Sequence, residues 1–238
     1  MIAAQAWLEA RLLVRNGEQL LLTLLIPVLL LVAFSLDRNL IKGTGVNFLA
    51  PGIIALAVMS TAFTSQAIAT GFERRYGVLK RLGATPLPRG GLIAAKTVTV
   101  VGIELGQALI IILVGLALNW RPDATGAAAL WVVILVLVGT AAFSGLALLM
   151  AGTLRAEATL AAANLVYLLL LGVGGILFPL SRFHGAQPVL LALPSGALSD
   201  GLRSVLAHAA GFPARDLLVL ACWAVAGIAL AARTFRWD

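Results

Sequence analysis

The sequence predicts an all-α membrane protein with six transmembrane helices. Three observations support this prediction. The first two concern composition: 61% of the 238 residues are hydrophobic, and only 11% are charged. Soluble domains carry about 25% charged residues, so the outer surface of this chain must face lipid. The mean hydropathy of +1.03 agrees. Third, the apolar residues are collected into runs long enough to cross a hydrocarbon core, which takes roughly 20 residues.

The first stretch predicts an amphipathic helix over residues 2–16. Trp7 and several alanines fall near one side of this helix, while Glu9, Arg11 and Arg15 lie on the other. A helix with an aromatic residue on one face and arginines on the other is typical of the membrane interface. Because these charges interrupt the segment before any long apolar run, we expect no signal peptide here.

Six apolar runs follow, and we interpret each as a transmembrane helix. The second run is rich in small and hydroxyl-bearing residues, such as Gly52, Ser60 and Thr61. Such residues permit close contact between helices, so this span is predicted to face protein rather than lipid. The predicted spans cover residues 19–36, 47–70, 91–120, 127–154, 158–177 and 214–233.

The segment between spans five and six, residues 178–213, has a different composition. It contains Pro179, Pro188, Pro194 and Pro213, which separate short apolar pieces. Apolar pieces of about ten residues cannot cross a bilayer and suit re-entrant or interfacial helices. The segment is therefore predicted to form a re-entrant hairpin.

The distribution of basic residues predicts the orientation. Lys and Arg accumulate in cytoplasmic loops of membrane proteins, and 11 of the 17 fall on the side of the two termini if there are six spans. This predicts that both termini are cytoplasmic and that the net charge of +7 marks a membrane side rather than nucleic-acid binding. The 11 residues are Arg11, Arg15, Arg74, Arg75, Lys80, Arg81, Arg89, Lys96, Arg155, Arg233 and Arg236.

The most charged stretch lies between spans two and three, in residues 71–89. Phe72, Tyr76, Leu79 and Leu82 share one face at helical spacing, and Gly83 can cap the end of such a helix. These positions predict a short amphipathic helix over residues 72–82 on the cytoplasmic side. From the residues alone, this helix either docks onto a partner protein or only anchors the topology.

The run FERRYGVLKRLGATPLPR resembles the coupling segment of ABC-2 type transporter permeases, which are membrane subunits of ATP-driven exporters such as the daunorubicin-resistance permeases. In that family the segment lies between spans two and three. Tyr76 departs from the family pattern, which more often has an acidic or small residue there. The matching residues are Glu73, Arg74, Gly77, Leu82, Thr85, Pro86 and Arg89.

The order of elements also resembles this family over nearly the whole chain. The shared order comprises an interfacial N-terminal helix, six spans, and a Pro-rich hairpin on the outer side between spans five and six. The hairpin residues that fit the family pattern are Gly175, Pro179, Leu193, Pro194, Leu202 and Arg203.

The resemblance implies the permease of an exporter in a bacterial cell membrane, moving a hydrophobic or amphipathic drug or lipid by alternating access. It implies ATP and magnesium on separate ATPase subunits, and a second permease copy or a homologous permease. The sequence contains no G-x-x-x-x-G-K-[ST] motif, so we expect no nucleotide site and no enzymatic activity on this chain. The implied ATPase-coupling residues are Phe72, Glu73, Arg74, Arg75, Tyr76, Gly77, Leu79, Arg81, Leu82, Thr85, Pro86 and Arg89.

Four polar residues inside the predicted spans are candidates for the substrate path. Glu104 is an acidic residue well inside a span, which makes it a functional candidate by default. Gln107 lies one turn further on, and Gln66 and Asn164 are expected to be buried as well. Each could instead make a structural hydrogen bond between helices. If Glu104 lines the path, it should favour cationic amphiphiles.

The sequence gives less support to functions other than export. A membrane enzyme would need a catalytic constellation, and Ser181, His184, Asp200 and His208 show neither a nucleophile elbow nor metal-ligand spacing. With Cys222 as the one cysteine, no metal site is expected. A channel or assembly subunit would not need a helix shaped for an ATPase. Within transport, a polysaccharide, lipid or haem-like cargo is the alternative to a drug.

Overall fold

A computed structural model describes residues 21–36, 45–78, 89–122, 126–183, 185–207 and 212–234. These residues form helices and connecting turns, with no strand in the described ranges. A π-helical turn, Leu21–Leu25, leads into the first helix. The helices are α1 (Ile26–Leu36), α2 (Val46–Arg75), α3 (Arg89–Ala117), α4 (Ala128–Thr153), α5 (Ala156–Val173), α6 (Gln187–Leu191), α7 (Pro194–Ala207) and α8 (Ala214–Thr234).

Five of the six predicted spans correspond to long helices in the structure. Within the described residues, α2, α3, α4, α5 and α8 are each long and apolar enough to cross a membrane. The first predicted span corresponds to a shorter apolar helix, Thr23–Leu36. The prediction of a helical membrane protein is therefore confirmed, while the count of six spans stays a prediction. The predicted interfacial helix over residues 2–16 lies outside the described residues.

Helix α2 is the centre of the bundle. It contacts α1, α3, α4, α5 and α7, and 83% of its apolar window is buried. Every residue from Leu49 to Phe63 is buried. The prediction that span two faces protein is thus confirmed. Its middle turns, Met59–Ser65, are π-helical, and such local widening of a helix often marks functional positions.

Helices α4 and α8 pack through two glycines. A Cβ atom added to Gly145 would lie 2.8 Å from the backbone nitrogen of Ile228, and one added to Gly227 would lie 3.0 Å from the carbonyl carbon of Gly145. Small residues let helix backbones approach closely and gain van der Waals contact. The two helices therefore meet backbone to backbone, without intervening side chains.

The segment predicted as a re-entrant hairpin contains a short 3₁₀ turn, Leu180–Arg182, followed by α6 and α7. Helix α7 has 14 residues and is roughly 21 Å long at 1.5 Å per residue, which is too short to cross a bilayer. It is largely buried, because it packs against α2, α4 and α8. Its re-entrant placement in the membrane stays a prediction.

The structure corrects the start of the predicted helix over residues 72–82. Helix α2 continues through Phe72 and ends at Arg75, and Gly77 follows with a φ of +68°. That left-handed conformation is easy only for glycine, so Gly77 terminates α2. The predicted start at Phe72 is therefore wrong, because nothing between Gln66 and Arg75 breaks the helix and residues 72–75 extend span two. Val78, directly after the turn, is helical again. Residues 79–88 lie outside the described part of the chain, so a helix over the remaining predicted residues stays a prediction.

Candidate functional site

The end of α2 and the turn between α4 and α5 form one cluster of side chains. We call it the α2-terminal cluster and define it as residues 72–78 and 154–157. Phe72 stacks on Tyr76 with a ring distance of 6.1 Å and an interplanar angle of 23°. Tyr76 is nevertheless 65% exposed and Val78 36% exposed. The cluster thus presents two large apolar side chains to its surroundings.

Two arginines connect α2 to the turn between α4 and α5. The Nη2 group of Arg74 donates a hydrogen bond to the carbonyl oxygen of Leu154, at the end of α4. Arg75 forms an ion pair with Glu157 in the first turn of α5. Glu157 suits that position, because a carboxylate interacts favourably with a helix N-terminus. Both side chains of the pair are more than half exposed, so it contributes at most about 1 kcal/mol to stability.

The same helices pack closely just inside the arginines. A Cβ atom added to Gly71 would lie 3.5 Å from the side chain of Thr159 and 3.6 Å from the Cα atom of Ala156. Gly71, Ala156 and Thr159 are all buried. The last turns of α2, which carry the first of the predicted coupling residues, are therefore packed against the first turn of α5. The partners Leu154 and Glu157 were not predicted from the sequence. Glu157 could have been suggested by its position, as an acidic residue in the first turn of a helix.

The remaining predicted coupling residues are not placed by this structure. Leu79, Arg81, Leu82, Thr85 and Pro86 lie outside the described residues, and for Arg89 only the backbone, at the start of α3, is described. Their coupling role stays a prediction.

Three of the four polar candidates make hydrogen bonds between helices, and two of the three are the amides Gln66 and Gln107. Gln66 accepts a hydrogen bond of 2.6 Å from the hydroxyl of Ser144 on α4. Gln107 accepts one of 3.0 Å from Thr61 on α2 and donates one of 3.2 Å to the backbone carbonyl of Thr23. All of these contacts are buried. The two amides therefore connect α2 to α4, and α3 to α2 and to the turn before α1.

Glu104 on α3 is buried against α4, and the residue is only 1% exposed. Its Oε2 atom contacts the hydroxyl of Thr140, which also lies 2.7 Å from the carbonyl oxygen of Val136. A threonine hydroxyl has one hydrogen and cannot donate to both acceptors. A proton on the Glu104 carboxyl would complete the second bond. The Oε1 atom has no hydrogen-bond partner among the described residues.

Asn164 is exposed, so the prediction that it is buried was wrong. Helix α5 packs on the bundle with Ala156, Thr159 and Ala163, which are buried. Asn164 is five residues beyond Thr159 and lies about 140° around the helix from it. Its amide therefore points away from the bundle, among the exposed side chains of Leu165, Leu168 and Leu169.

Arg203 connects the hairpin segment to α2 at a buried three-way contact. Its side chain is only 6% exposed. Its Nε atom donates to the carbonyl of Phe48 at 3.1 Å and its Nη2 atom to that of Ile176 at 3.0 Å. The guanidinium carbon also lies 3.7 Å from the centroid of the Phe48 ring. A Cβ atom on Gly52 would come within 2.4 Å of the Ile176 carbonyl oxygen, so this position needs glycine.

The other predicted hairpin residues shape the chain around this contact. Gly175 has a φ of +72°, which allows the sharp turn after α5. Pro179 directly precedes the 3₁₀ turn, and Pro194 is the first residue of α7, where its fixed φ suits a helix start. The hydroxyl of Ser199 donates to the carbonyl of Gly174 at 3.0 Å and holds α7 against the end of α5. Arg203 was among the residues predicted from the sequence, whereas its partners Phe48 and Ile176 were not.

The described residues hold no group of three or more His, Cys, Asp or Glu side chains that could bind a metal ion.

These helices and their buried polar contacts define a multi-pass helical membrane protein. A family model, ABC-2 type transporter, matches residues 2–207. The match covers most of the 238 residues, and the chain belongs to the ABC-2 type transporter family. It is therefore a membrane-embedded component of a transporter. No curated protein matches the chain.

Proposed function

We propose that this chain is the permease subunit of an ATP-driven exporter, which moves a hydrophobic or amphipathic drug or lipid out of the cytoplasm. The observation that carries the proposal is the α2-terminal cluster, in which the end of the central helix is joined to the turn between α4 and α5. Family membership supports the pairing with an ABC ATPase. The proposed location is a bacterial inner membrane with both termini in the cytoplasm.

ATP and magnesium belong on the partner ATPase subunits in this proposal. The sequence has no P-loop motif that could cradle nucleotide phosphates. The energy of ATP hydrolysis must then reach the permease as movement. Two permease copies, or this chain and a homologous permease, would match two ATPase subunits.

The α2-terminal cluster is suited to receive that movement. A partner that touches Tyr76 or Val78, both exposed, pushes on the end of α2. Because Arg74 and Arg75 bind the end of α4 and the start of α5, the same push reaches three helices. Closure of the ATPase dimer would in this way switch the bundle between inward- and outward-facing packings.

The polar candidates for the substrate path can contact a substrate only if the helices around them separate. Gln66, Glu104 and Gln107 are buried against α2 and α4 in the structure. A substrate could reach them once α3 and α4 move apart, and it would then replace their present hydrogen-bond partners. Their role in the path remains part of the proposal.

Substitution of Gly77 tests the coupling assignment, and Gly185 provides a matched control. Both glycines have a positive φ, of +68° and +65°, and a Cβ atom on either would meet nothing within 4 Å. Leucine therefore introduces the same backbone strain at both sites. We expect Gly77→Leu to reduce both the ATPase recovered with the permease and ATP-driven export at least tenfold, while Gly185→Leu leaves both unchanged.

A double substitution distinguishes the loss of docking contacts from the effect of backbone strain. Glu73→Ala and Arg74→Ala together remove polar groups of the matched family motif without changing the backbone. We expect this double variant to lose export as well. If it and Gly77→Leu both assemble with the ATPase and transport at the unsubstituted rate, the coupling assignment fails, and a channel or assembly role leads instead.

A further inference from the structure

The contact between Glu104 and Thr140 lies one layer beneath the outer surface of the bundle. Glu104 on α3 and Thr140 on α4 are both almost fully buried. Leu105, next to the carboxyl in the chain, is 41% exposed, and Leu137, one turn before Thr140, is 42% exposed. A small separation of α3 from α4 would therefore open the carboxyl toward the surrounding lipid, from which an apolar molecule can arrive.

No charged group on the neighbouring helices faces this carboxyl. Helix α3 packs against α1, α2 and α4, and neither α1 nor α4 contains a charged residue. The charged residues of α2, Glu73 and the two arginines that follow it, begin about 12 residues or roughly 18 Å beyond Thr61, which contacts Gln107. On α3 itself Lys96 is about eight residues, roughly 12 Å, from Glu104. An ionised carboxylate would be buried without a partner charge, which is costly, so the neutral acid is the stable form in this packing.

The hydrogen bonds at Thr140 agree with a neutral acid. The hydroxyl oxygen of Thr140 lies 2.7 Å from the carbonyl oxygen of Val136 and also contacts Oε2 of Glu104. The one hydroxyl hydrogen can go to Val136 while the carboxyl proton goes to the hydroxyl oxygen. The Oε1 atom of Glu104 has no hydrogen-bond partner among the described residues. The carboxyl thus carries a proton on one oxygen and leaves the other oxygen available as an acceptor.

We propose that the contact between Glu104 and Thr140 is a binding site that exchanges its proton for a hydrophobic organic cation. When α3 and α4 separate, the cation enters beside the carboxyl and the O–H bond of the acid breaks. The proton leaves to water that enters the opened contact, and the cation neutralises the carboxylate in its place. One positive charge enters as one leaves, so the net charge of the site is unchanged. The inference rests on the proposed function, because it names the class of substrate that the permease would export.

The surroundings of the carboxyl favour an organic cation over a metal ion. Divalent metal ions take six or more oxygen ligands, and the described residues hold no group of three or more His, Cys, Asp or Glu side chains that could supply them. Phe143, one turn beyond Thr140 on α4, packs on Phe63 of α2 with the ring centroids 6.4 Å apart, and both rings are buried. Aromatic faces attract cations. A large cation with a delocalised charge is also more weakly hydrated than a compact one, so it is easier to bury.

Equilibrium binding of radiolabelled tetraphenylphosphonium to the full chain in lipid nanodiscs tests the exchange, with empty nanodiscs as the background. Because binding releases one proton, the affinity should rise about tenfold for each unit by which the pH increases toward neutrality. An indicator dye in weakly buffered solution should record about one proton released per cation bound. Tetraphenylborate, an anion of the same shape, should show neither effect. Cation binding that does not change with pH, or that releases no proton, would refute the exchange.

Two substitutions of an acid by its amide assign the effect to one carboxyl. Glu104→Gln retains the side-chain volume but cannot exchange a proton. Asp216→Asn makes the same chemical change at another buried carboxyl, which is paired with Arg215. We expect Glu104→Gln to weaken tetraphenylphosphonium binding at least tenfold and to abolish the proton release, and Asp216→Asn to change neither. Equal binding and equal proton release in Glu104→Gln and the unsubstituted chain would refute the assignment to Glu104. The pH dependence of the unsubstituted chain tests the exchange even if Glu104→Gln does not fold.

The exchange site and the exporter assignment can fail separately. Cation binding with proton release, but without an accompanying ATPase, would support the exchange site and refute the exporter. ATP-driven export of a neutral drug or lipid, without pH-dependent cation binding, would support the exporter and refute the exchange site. Proton release on addition of sodium chloride alone would refute an organic cation as the ligand.

Discussion

Replacing Arg203 by methionine should destabilise the bundle strongly. The substitution retains much of the apolar volume but removes two hydrogen bonds from a charged group to the carbonyls of Phe48 and Ile176. Each such bond contributes about 1.5–3 kcal/mol, and the contact with the Phe48 ring adds up to about 2 kcal/mol when desolvated. Burying the guanidinium costs part of this gain. We expect a net loss of about 3 kcal/mol.

The assay is thermal unfolding of the purified chain in mild detergent. A loss of this size lowers Tm by roughly 6–12 °C in a chain of 150–250 residues, at 2–4 °C per kcal/mol. Arg121→Met serves as the control, because Arg121 is exposed and only its backbone nitrogen contacts Asn47. The control should shift Tm by no more than about 2 °C, as exposed substitutions change stability by about 0.5 kcal/mol.

Gly52→Ala perturbs the same contact from the opposite side. Its Cβ atom would lie 2.6 Å from Nη2 of Arg203, so the guanidinium must shift. Since both changes act on one contact, the double variant should lose less stability than the sum of the single losses. A Tm for Arg203→Met equal to that of Arg121→Met would refute the reasoning, and strict additivity would show that the two sites are independent.

The Arg75–Glu157 ion pair, the buried carboxyl of Glu104 and the close contact at Gly145 can each be tested by substitution. Arg75→Glu and Glu157→Arg should each lower ATP-driven export severalfold with little change in Tm, and the double exchange should restore export in proteoliposomes. Glu104→Gln should keep the free energy of unfolding within about 1 kcal/mol of the original by donating to Thr140, whereas Glu104→Lys should abolish folded protein in size-exclusion chromatography because it buries an unpaired cation. Gly145→Val should lower Tm more than Gly106→Val, since of these two glycines only Gly145 faces a backbone within 3 Å.

Each of these predictions has a result that would contradict it. An exchanged Arg75–Glu157 pair that stays inactive would show that the ion pair is not what transmits movement. A large loss of Tm in Glu104→Gln would show that the carboxyl, rather than a hydrogen-bond donor, is needed beside Thr140. Equal effects of valine at Gly145 and Gly106 would mean that α4 and α8 have room to separate.

Hydropathy was enough to predict the long helices, because crossing a membrane requires continuous apolar runs. The small and hydroxyl-bearing residues of span two also predicted its burial, since close helix contact selects them. The end of α2 could not be predicted this way. Periodicity suggested a separate helix from Phe72, but it cannot distinguish a new helix from the continuation of a span. The positive φ of Gly77, which sets the actual end, depends on the folded backbone.

The contacts of the polar residues could not be predicted from the sequence pattern either. Hydropathy identified Gln107, Glu104 and Asn164 as unusual, yet it could not tell which way each faces. That depends on which side of a helix packs on the bundle, and for α5 the packing side is set by Ala156, Thr159 and Ala163. The partners Leu154 and Phe48 were missed because both act through backbone carbonyls, which every residue has.

The burial of α2 affects how the protein responds to bilayer thickness. The apolar part of α2, residues 46–65, has 20 residues, roughly 30 Å at 1.5 Å per residue, and matches a hydrocarbon core of about 30 Å. Hydrophobic mismatch acts on helices that touch lipid, and the neighbours of α2 enclose it. A change in bilayer thickness therefore acts on α3, α5 and α8, the least buried of the long helices in the described residues. Lipids of different chain length should alter the periphery of the bundle first, and leave the contacts of α2 nearly constant.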